Sequence, residues 1–150
     1  MESSTDLASE LFDVVGRFRR QLRRSAGRGF DGTGLTQSQS ELLRLVGRAP
    51  GISVREAATE LGLVPNTAST LVTKLAADGL LTRSVDADDR RVCRLQLTDQ
   101  AQRVADRTRA ERLATLAAVL EELPSEKTAQ LEDGLRVLAE MTRTLQEDKP

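Results

Sequence analysis

Histidine is absent from this 150-residue chain, and cysteine occurs once, at Cys93. Without histidine there is no Ser-His-Asp or Cys-His catalytic arrangement, and most zinc sites lose a common ligand. A single cysteine cannot form an internal disulfide. The chain therefore lacks the usual equipment of an enzyme, and we expect a non-enzymatic protein that needs neither a metal nor a cofactor.

Aromatic residues are also scarce, at 2% of the chain, and tryptophan and tyrosine are missing. The core must therefore be built from leucine, valine and alanine. No apolar run approaches the roughly 18 residues that a membrane-spanning helix needs. Glu2 and Asp6, close behind Met1, are untypical of a signal peptide. We expect a helix-rich, cytoplasmic protein with no membrane partner, folded as a single domain over residues 1–150.

The net charge is −1 and gives no sign of a nucleic-acid-binding protein, but the charges are unevenly distributed. Residues 64–97 contain five basic residues against four aspartates, whereas acidic residues outnumber basic ones from Glu121 onwards. Any charge that attracts phosphate must therefore be local. We expect the acidic C-terminal part to face away from nucleic acid.

Apolar residues at helical spacing predict amphipathic helices at both ends of the chain. The first spans about 5–24, and the C-terminal helices span about 98–147 with a break at Pro124 and Ser125. These helices carry more apolar surface than one small domain can cover, which favours packing against a second copy of the chain. The apolar stripes consist of Leu7, Leu11, Val14, Val15, Phe18 and Leu22, then Val104, Leu113, Leu116, Leu120 and Leu123, and finally Leu131, Leu135, Leu138, Met141 and Leu145.

Two capping boxes mark helix starts in the middle of the chain. Thr36 pairs with Gln39 and Ser53 pairs with Glu56, so that each pair can satisfy backbone donors at a helix N-terminus. Pro65 suits the first turn of a further helix, because its missing N–H is not needed there. Two short helices joined by a tight turn, as predicted here, form a helix-turn-helix.

A β-hairpin is predicted directly after this pair of helices, over the segment LLTRSVDADDRRVCRLQLT from Leu80 to Thr98. Cys93, Leu95 and Leu97 alternate with polar residues, which is typical of a half-buried strand. Residues 81–85 can supply the partner strand and residues 86–91 the connection. We therefore predict a mainly α fold with a small β-hairpin wing, that is, a winged helix-turn-helix with N- and C-terminal dimerisation helices.

The second helix of the pair carries small polar side chains that could enter the major groove of double-stranded DNA. A solvated helix face would explain the same pattern, but the wing directly downstream favours DNA contact. The candidate DNA-binding residues of this helix are Pro65, Asn66, Thr67, Ser69, Thr70, Thr73 and Lys74.

The predicted wing tip supplies two further candidate DNA-binding residues, Arg90 and Arg91. Arginine suits a narrow, electronegative minor groove. A neighbouring carboxylate such as Asp89 can support the wing by holding a guanidinium in position. The alternative is a charged turn that only keeps the hairpin soluble.

At these residues the chain resembles the multiple-antibiotic-resistance regulator (MarR) family. The resemblance rests on Leu35 and Thr36 with Gln39, on residues 53–81, and on residues 86–91 followed by residues 95–98. It implies a homodimeric winged-helix regulator that binds pseudo-palindromic DNA, usually a repressor released by a small ligand or by oxidation. The family pattern places an Asp two residues before the wing arginine, which falls on Asp89 and Arg91.

The resemblance also implies a small, often anionic aromatic ligand, bound between the dimerisation helices and a DNA-binding lobe at about 36–98. No ligand residue can be assigned from it. The chain departs from the family at Val64, where Ser or Thr is common, and at Thr70, where Arg is common. These departures imply a weaker phosphate clamp or a different operator.

The sequence thus predicts a dimeric DNA-binding transcriptional regulator, and two alternatives stay open. The near-neutral charge motivates a winged-helix protein-interaction module without DNA binding. Cys93 motivates a redox sensor, although the similar oxidation sensors keep their reactive cysteine in the first helix, where this chain has none. A packed, structural thiol is the favoured interpretation of Cys93.

Overall fold

The computed structural model describes residues 3–147, so the predicted domain span of 1–150 extends past both ends of the described chain. The predicted fold class, mainly helical with a hairpin wing, is confirmed. The elements are α1 (Ser4–Ser25), α2 (Gln37–Arg48), α3 (Val54–Leu61), α4 (Pro65–Ala77), β1 (Leu81–Val85), β2 (Cys93–Leu97), α5 (Asp99–Glu121) and α6 (Ser125–Glu147).

Local capping signals fix the starts of α2 and α3, as predicted. The Thr36 hydroxyl accepts the Gln39 N–H at 3.2 Å, and the Gln39 side chain accepts the Thr36 N–H at 2.9 Å. Ser53 and Glu56 form the same reciprocal pair at 2.9 and 3.0 Å. Helix α3 ends at Gly62, whose φ of 65° is the left-handed conformation that glycine adopts without a steric penalty.

The hydrophobic core lies in the lobe formed by α2, α3, α4 and the hairpin. Leu42, Leu43, Leu75 and Leu95 are fully buried there. The core also includes Phe30 from the α1–α2 loop and Ala101 from the first turn of α5. Side chains outside the predicted 36–98 lobe therefore complete its core.

Strands β1 and β2 pair antiparallel, with Leu81 opposite Leu97 and Val85 opposite Cys93. The connection runs from Asp86 to Val92 and so ends one residue later than predicted. The reason is that the Val92 N–H donates to the Asp89 carbonyl at 3.0 Å within the turn. The α2–α3 loop pairs with β2, since the Leu95 N–H donates to the Ile52 carbonyl at 2.9 Å.

The outer helices have almost no cover within one chain. Neither α1 nor α6 contains a buried residue, and α5 buries only Ala101 and Thr108. Large apolar side chains project from them into solvent, among them Phe18 at 54% exposure and Leu145 at 69%. Within residues 3–147, no helix combines the length and the apolar character that crossing a bilayer requires.

Candidate nucleic-acid interface

Helix α4 presents an exposed polar face at its N-terminal end. Pro65 occupies the first turn, and Val64, at the N-cap, gives no side-chain capping bond. Asn66, Thr67 and Ser69 are exposed, and within residues 3–147 their side chains form no hydrogen bond. These three side chains are therefore available to base edges and phosphates.

The other polar candidates on α4 already have partners in the protein. The Thr70 hydroxyl donates to the Asn66 carbonyl at 2.9 Å, and the Thr73 hydroxyl accepts from Arg83 Nη1 at 3.5 Å. Lys74 Nζ pairs with Asp78 at 3.0 Å. This last pair is exposed and exchangeable, because such i,i+4 ion pairs contribute only about 0.3–0.5 kcal/mol.

The wing tip holds its outermost arginine against a carboxylate. Arg91 Nε donates to Asp89 Oδ1 at 3.2 Å and Arg91 Nη2 donates to Asp89 Oδ2 at 3.4 Å. The Arg91 side chain is nevertheless 91% exposed. The hydrogen bonds from its guanidinium and from its backbone N–H lower the pKa of Asp89 below the ordinary range. Arg90, beside it, is exposed.

A second ion pair, between Arg94 and Asp86, lies at the base of the wing. The alternating pattern of β2 predicts only that Arg94 lies on the strand face opposite to Leu95. Arg94 Nε donates to Asp86 Oδ2 at 2.6 Å, and Arg94 Nη1 donates to the Gly51 carbonyl at 3.1 Å. The Arg94 guanidinium, with the backbone N–H groups of Asp88 and Asp89, lowers the pKa of the Asp86 carboxyl. The same pairing raises the pKa of Arg94.

An open groove of about 760 Å³ separates the helix-turn-helix from the wing. Ser69 and Thr73 of α4 line one side of it, and Asp89 and Arg91 of the wing line another. Two arginines that sequence reasoning did not select, Arg55 of α3 and Arg83 of β1, also line the groove. Nothing in the sequence around either arginine marks it as a DNA-binding residue, because only the fold brings the two together at the groove.

Cys93 also lines this groove, at the start of β2. It is half-buried, unpaired in the described structure, and packed against the edge of the core. This placement supports the favoured interpretation of a packed thiol. Within residues 3–147, no cluster of His, Cys, Asp or Glu has a composition suited to a metal ion.

A separate, more enclosed cavity of about 210 Å³ lies between the α1–α2 loop, α2 and α5. Phe30 and Leu113 contribute apolar walls, while the guanidinium-bearing residues Arg28, Arg44, Arg48, Arg109 and Arg112 surround it. Gly29 forms part of the wall with φ of 56°, and a Cβ there would lie 2.6 Å from the Thr108 hydroxyl oxygen. Glycine therefore lets the loop approach α5 closely.

Asp31 links the two sides of this cavity. Its carboxylate accepts from Arg44 Nη1 of α2 at 3.0 Å and from Arg112 Nη2 of α5 at 3.2 Å. The Nε of Arg112 is buried and has no hydrogen-bond partner within the described residues. A buried donor without a partner is costly, so this atom favours an additional acceptor at the cavity.

A model of the MarR family matches residues 33–92. None of the curated proteins matches the chain in sequence. Among solved structures, FabT of Streptococcus pneumoniae in complex with DNA is 22% identical with a TM-score of 0.72, and the match covers 93% of this chain and 94% of FabT.

Two further solved structures carry ligands. PcaV of Streptomyces coelicolor, in complex with its natural ligand, is 24% identical with a TM-score of 0.62, covering 93% of this chain and 98% of PcaV. NadR in complex with 4-hydroxyphenylacetate is 21% identical with a TM-score of 0.69, covering 94% of each chain. At these identities, the likeness establishes a shared fold.

Proposed function

Because a model of the MarR family matches residues 33–92, we propose that this chain is a homodimeric, ligand-responsive repressor that binds a pseudo-palindromic operator. One observation carries the DNA-binding part. The exposed polar face of α4 and the arginine-bearing wing border the same groove, so both can contact one duplex at the same time.

Each part of this surface suits a different part of the duplex. The side chains of Asn66, Thr67 and Ser69 lie near the N-terminus of α4, where a recognition helix contacts base edges in the major groove. The exposed fork of Arg91 suits the adjacent minor groove. Arg55 and Arg83 add positive charge between them. Local charge thus supports phosphate binding although the whole chain is nearly neutral.

The uncovered outer helices support the homodimer. Exposed apolar side chains recur along α1, α5 and α6, and contiguous apolar patches of this kind mark interaction sites. A second copy offers the same apolar faces and closes the assembly by two-fold symmetry. Such a dimer carries two copies of α4 and two wings, which suits an inverted-repeat operator.

The 210 Å³ cavity supports a small anionic aromatic ligand. A cavity of about 150 Å³ is large enough for benzene, so this one has room for one ring with a carboxylate. Arginines provide charge-assisted donors for that carboxylate, and NadR shares the fold and binds an aromatic carboxylate. A carboxylate that displaces Asp31 from Arg44 and Arg112 would change how α2 sits against α5, and so reposition the DNA-binding lobe.

Selection from a pool of random duplexes tests the symmetry of the operator. We expect the wild-type protein to enrich an inverted repeat whose half-site centres lie about 10 base pairs apart, because a two-fold dimer presents its recognition helices to successive major grooves. Enrichment of a single unrepeated half-site would contradict the symmetric dimer. Failure to enrich any sequence would contradict the regulator itself.

The ligand proposal is tested with benzoate and its uncharged analogue benzyl alcohol. We expect calorimetry to detect benzoate binding, and we expect benzoate, but not benzyl alcohol, to weaken binding to the selected duplex. Arg109→Gln should reduce benzoate affinity by about tenfold to a hundredfold, since loss of a charge-assisted hydrogen bond costs roughly 1.5–3 kcal/mol. Arg107→Gln is the matched control, because Arg107 lies on the same helix but does not line the cavity. Equal responses to both compounds would refute a site selective for anions.

A further inference from the structure

The base of the wing is tied to the body of the lobe through Arg94. Arg94 Nη1 donates to the Gly51 carbonyl at 3.1 Å, and Arg94 Nε donates to Asp86 Oδ2 at 2.6 Å. Gly51 is itself held in place, because its N–H donates to the carbonyl of the fully buried Leu95 at 2.8 Å. Arg94 therefore connects the first residue of the wing loop to a fixed part of the α2–α3 loop.

Asp86 passes this constraint to the tip of the wing. Its Oδ1 accepts the backbone N–H groups of Asp88 at 2.9 Å and of Asp89 at 3.1 Å. The Asp89 carboxylate then accepts the Arg91 N–H at 3.0 Å and pairs with the Arg91 guanidinium. Because Arg91 is almost fully exposed, these hydrogen bonds, rather than packing, determine where it points.

Arg94 also lies beside the start of α3, because its backbone forms a β-bridge with Ser53, the N-cap residue of that helix. The hydrogen bonds from Ser53 are the main cause of the lowered pKa of Glu56, and the charge of Arg94 contributes to that lowering. Arg94 thus lies among the wing, the α2–α3 loop and the first helix of the helix-turn-helix. Arg94 therefore joins the wing to the loop that leads into α3.

We propose that Asp86 and Arg94 are positioning residues that hold the wing in its DNA-binding orientation and act on DNA through Arg91. The proposal rests on the proposed function, since it concerns how the wing meets the duplex. It predicts an effect on DNA affinity opposite to the one expected from charge alone. Simple electrostatics says that removing a carboxylate near phosphate strengthens binding, whereas removal of Asp86 releases Arg91 and weakens it.

Asp86→Ala and its matched control, Asp88→Ala, separate these two effects. Both remove one negative charge from the same loop, but the Asp88 carboxylate has no hydrogen-bond partner in the described structure. On a labelled duplex selected with the wild-type protein, Asp86→Ala should bind about tenfold more weakly, the size expected for loss of one ordered arginine contact. Asp88→Ala should bind as tightly as wild type or more tightly. Equal affinity of the two variants would overturn the proposal.

A double-mutant cycle shows whether Asp86 acts through Arg91. If it does, Asp86→Ala combined with Arg91→Ala binds no more weakly than Arg91→Ala alone, because the wing contact has already been lost. Additive losses would overturn that route. A purely structural role would lower thermal stability and affinity together, without this dependence on Arg91.

Amide hydrogen exchange in the absence of DNA tests the anchor independently of DNA binding. The N–H groups of Asp88 and Asp89 should exchange faster in Asp86→Ala and in Arg94→Met, while amides of the core strand residue Leu95 keep their protection. Unchanged exchange at both N–H groups would overturn the anchor. This measurement needs no operator, so it tests the anchor even if the proposed function is wrong. Failure of the proposed function would show separately, as absence of DNA binding by the wild-type protein.

Discussion

Replacing Leu135 by aspartate is expected to convert the proposed dimer into a monomer and to abolish specific DNA binding. Leu135 is 55% exposed in one chain and lies on the apolar stripe of α6 with Leu131, Leu138, Met141 and Leu145. If a second copy covers this stripe, each copy contributes one unpaired carboxylate, so that the interface contains two. Each buried, unpaired charge costs several kcal/mol, so the dissociation constant of the dimer should rise by at least about a hundredfold.

Ala129→Asp is the matched control for this prediction. Ala129 is exposed and lies on the side of α6 opposite to the stripe. We expect Ala129→Asp to remain a dimer by analytical ultracentrifugation and to bind the selected duplex like the wild type. A dimeric Leu135→Asp that binds DNA normally would show that this face of α6 is not the dimer interface.

Replacing Arg91 by alanine is expected to weaken binding to the selected duplex by about tenfold or more. In the proposed dimer, each copy loses one cationic contact with the phosphate-lined minor groove. The slope of log affinity against log salt concentration should therefore become shallower by about one unit for each wing that leaves the DNA. Fluorescence anisotropy at several salt concentrations measures both quantities. The fold should be unaffected, because the Arg91 side chain is 91% exposed.

Two comparisons make the Arg91 result specific. Arg143→Ala removes the same charge from the exposed surface of α6 and should leave DNA affinity unchanged. Arg91→Lys keeps the charge but loses the planar fork, so its affinity should lie between wild type and Arg91→Ala. Normal affinity of a folded, dimeric Arg91→Ala would remove the wing from the DNA-binding surface.

The parts of the fold that the sequence predicted well are those with local causes. Thr36 and Gln39 cap the start of α2, and Pro65 lies in the first turn of α4. Strand β2 was also predictable, because its alternation reports which residues face the core, and residues 81–85 followed as its partner strand. The resemblance to the MarR family implied that Asp89 accompanies Arg91, and the two residues form an ion pair at 3.2 Å.

The parts that sequence reasoning missed depend on residues that only the fold brings together. Alternation places Arg94 on a strand face but says nothing of the carboxylate of Asp86 or the carbonyl of Gly51. Arg112 and Asp31 are 81 residues apart, so no spacing rule connects them. The cavity beside them was expected only in general terms, because its walls come from a loop and two helices.

The most direct test of the central claim is binding of the wild-type protein to its selected duplex, by fluorescence anisotropy at two salt concentrations with excess nonspecific DNA. A sequence-specific regulator should bind the labelled duplex tightly at the lower salt and stay bound to it in the presence of the competitor. Its affinity should fall steeply as the salt concentration rises, because phosphate contacts release counterions. If nonspecific DNA displaces the labelled duplex completely, or if the affinity is the same for every sequence, the protein is not a sequence-specific regulator. Either result would favour a winged-helix module that binds protein partners.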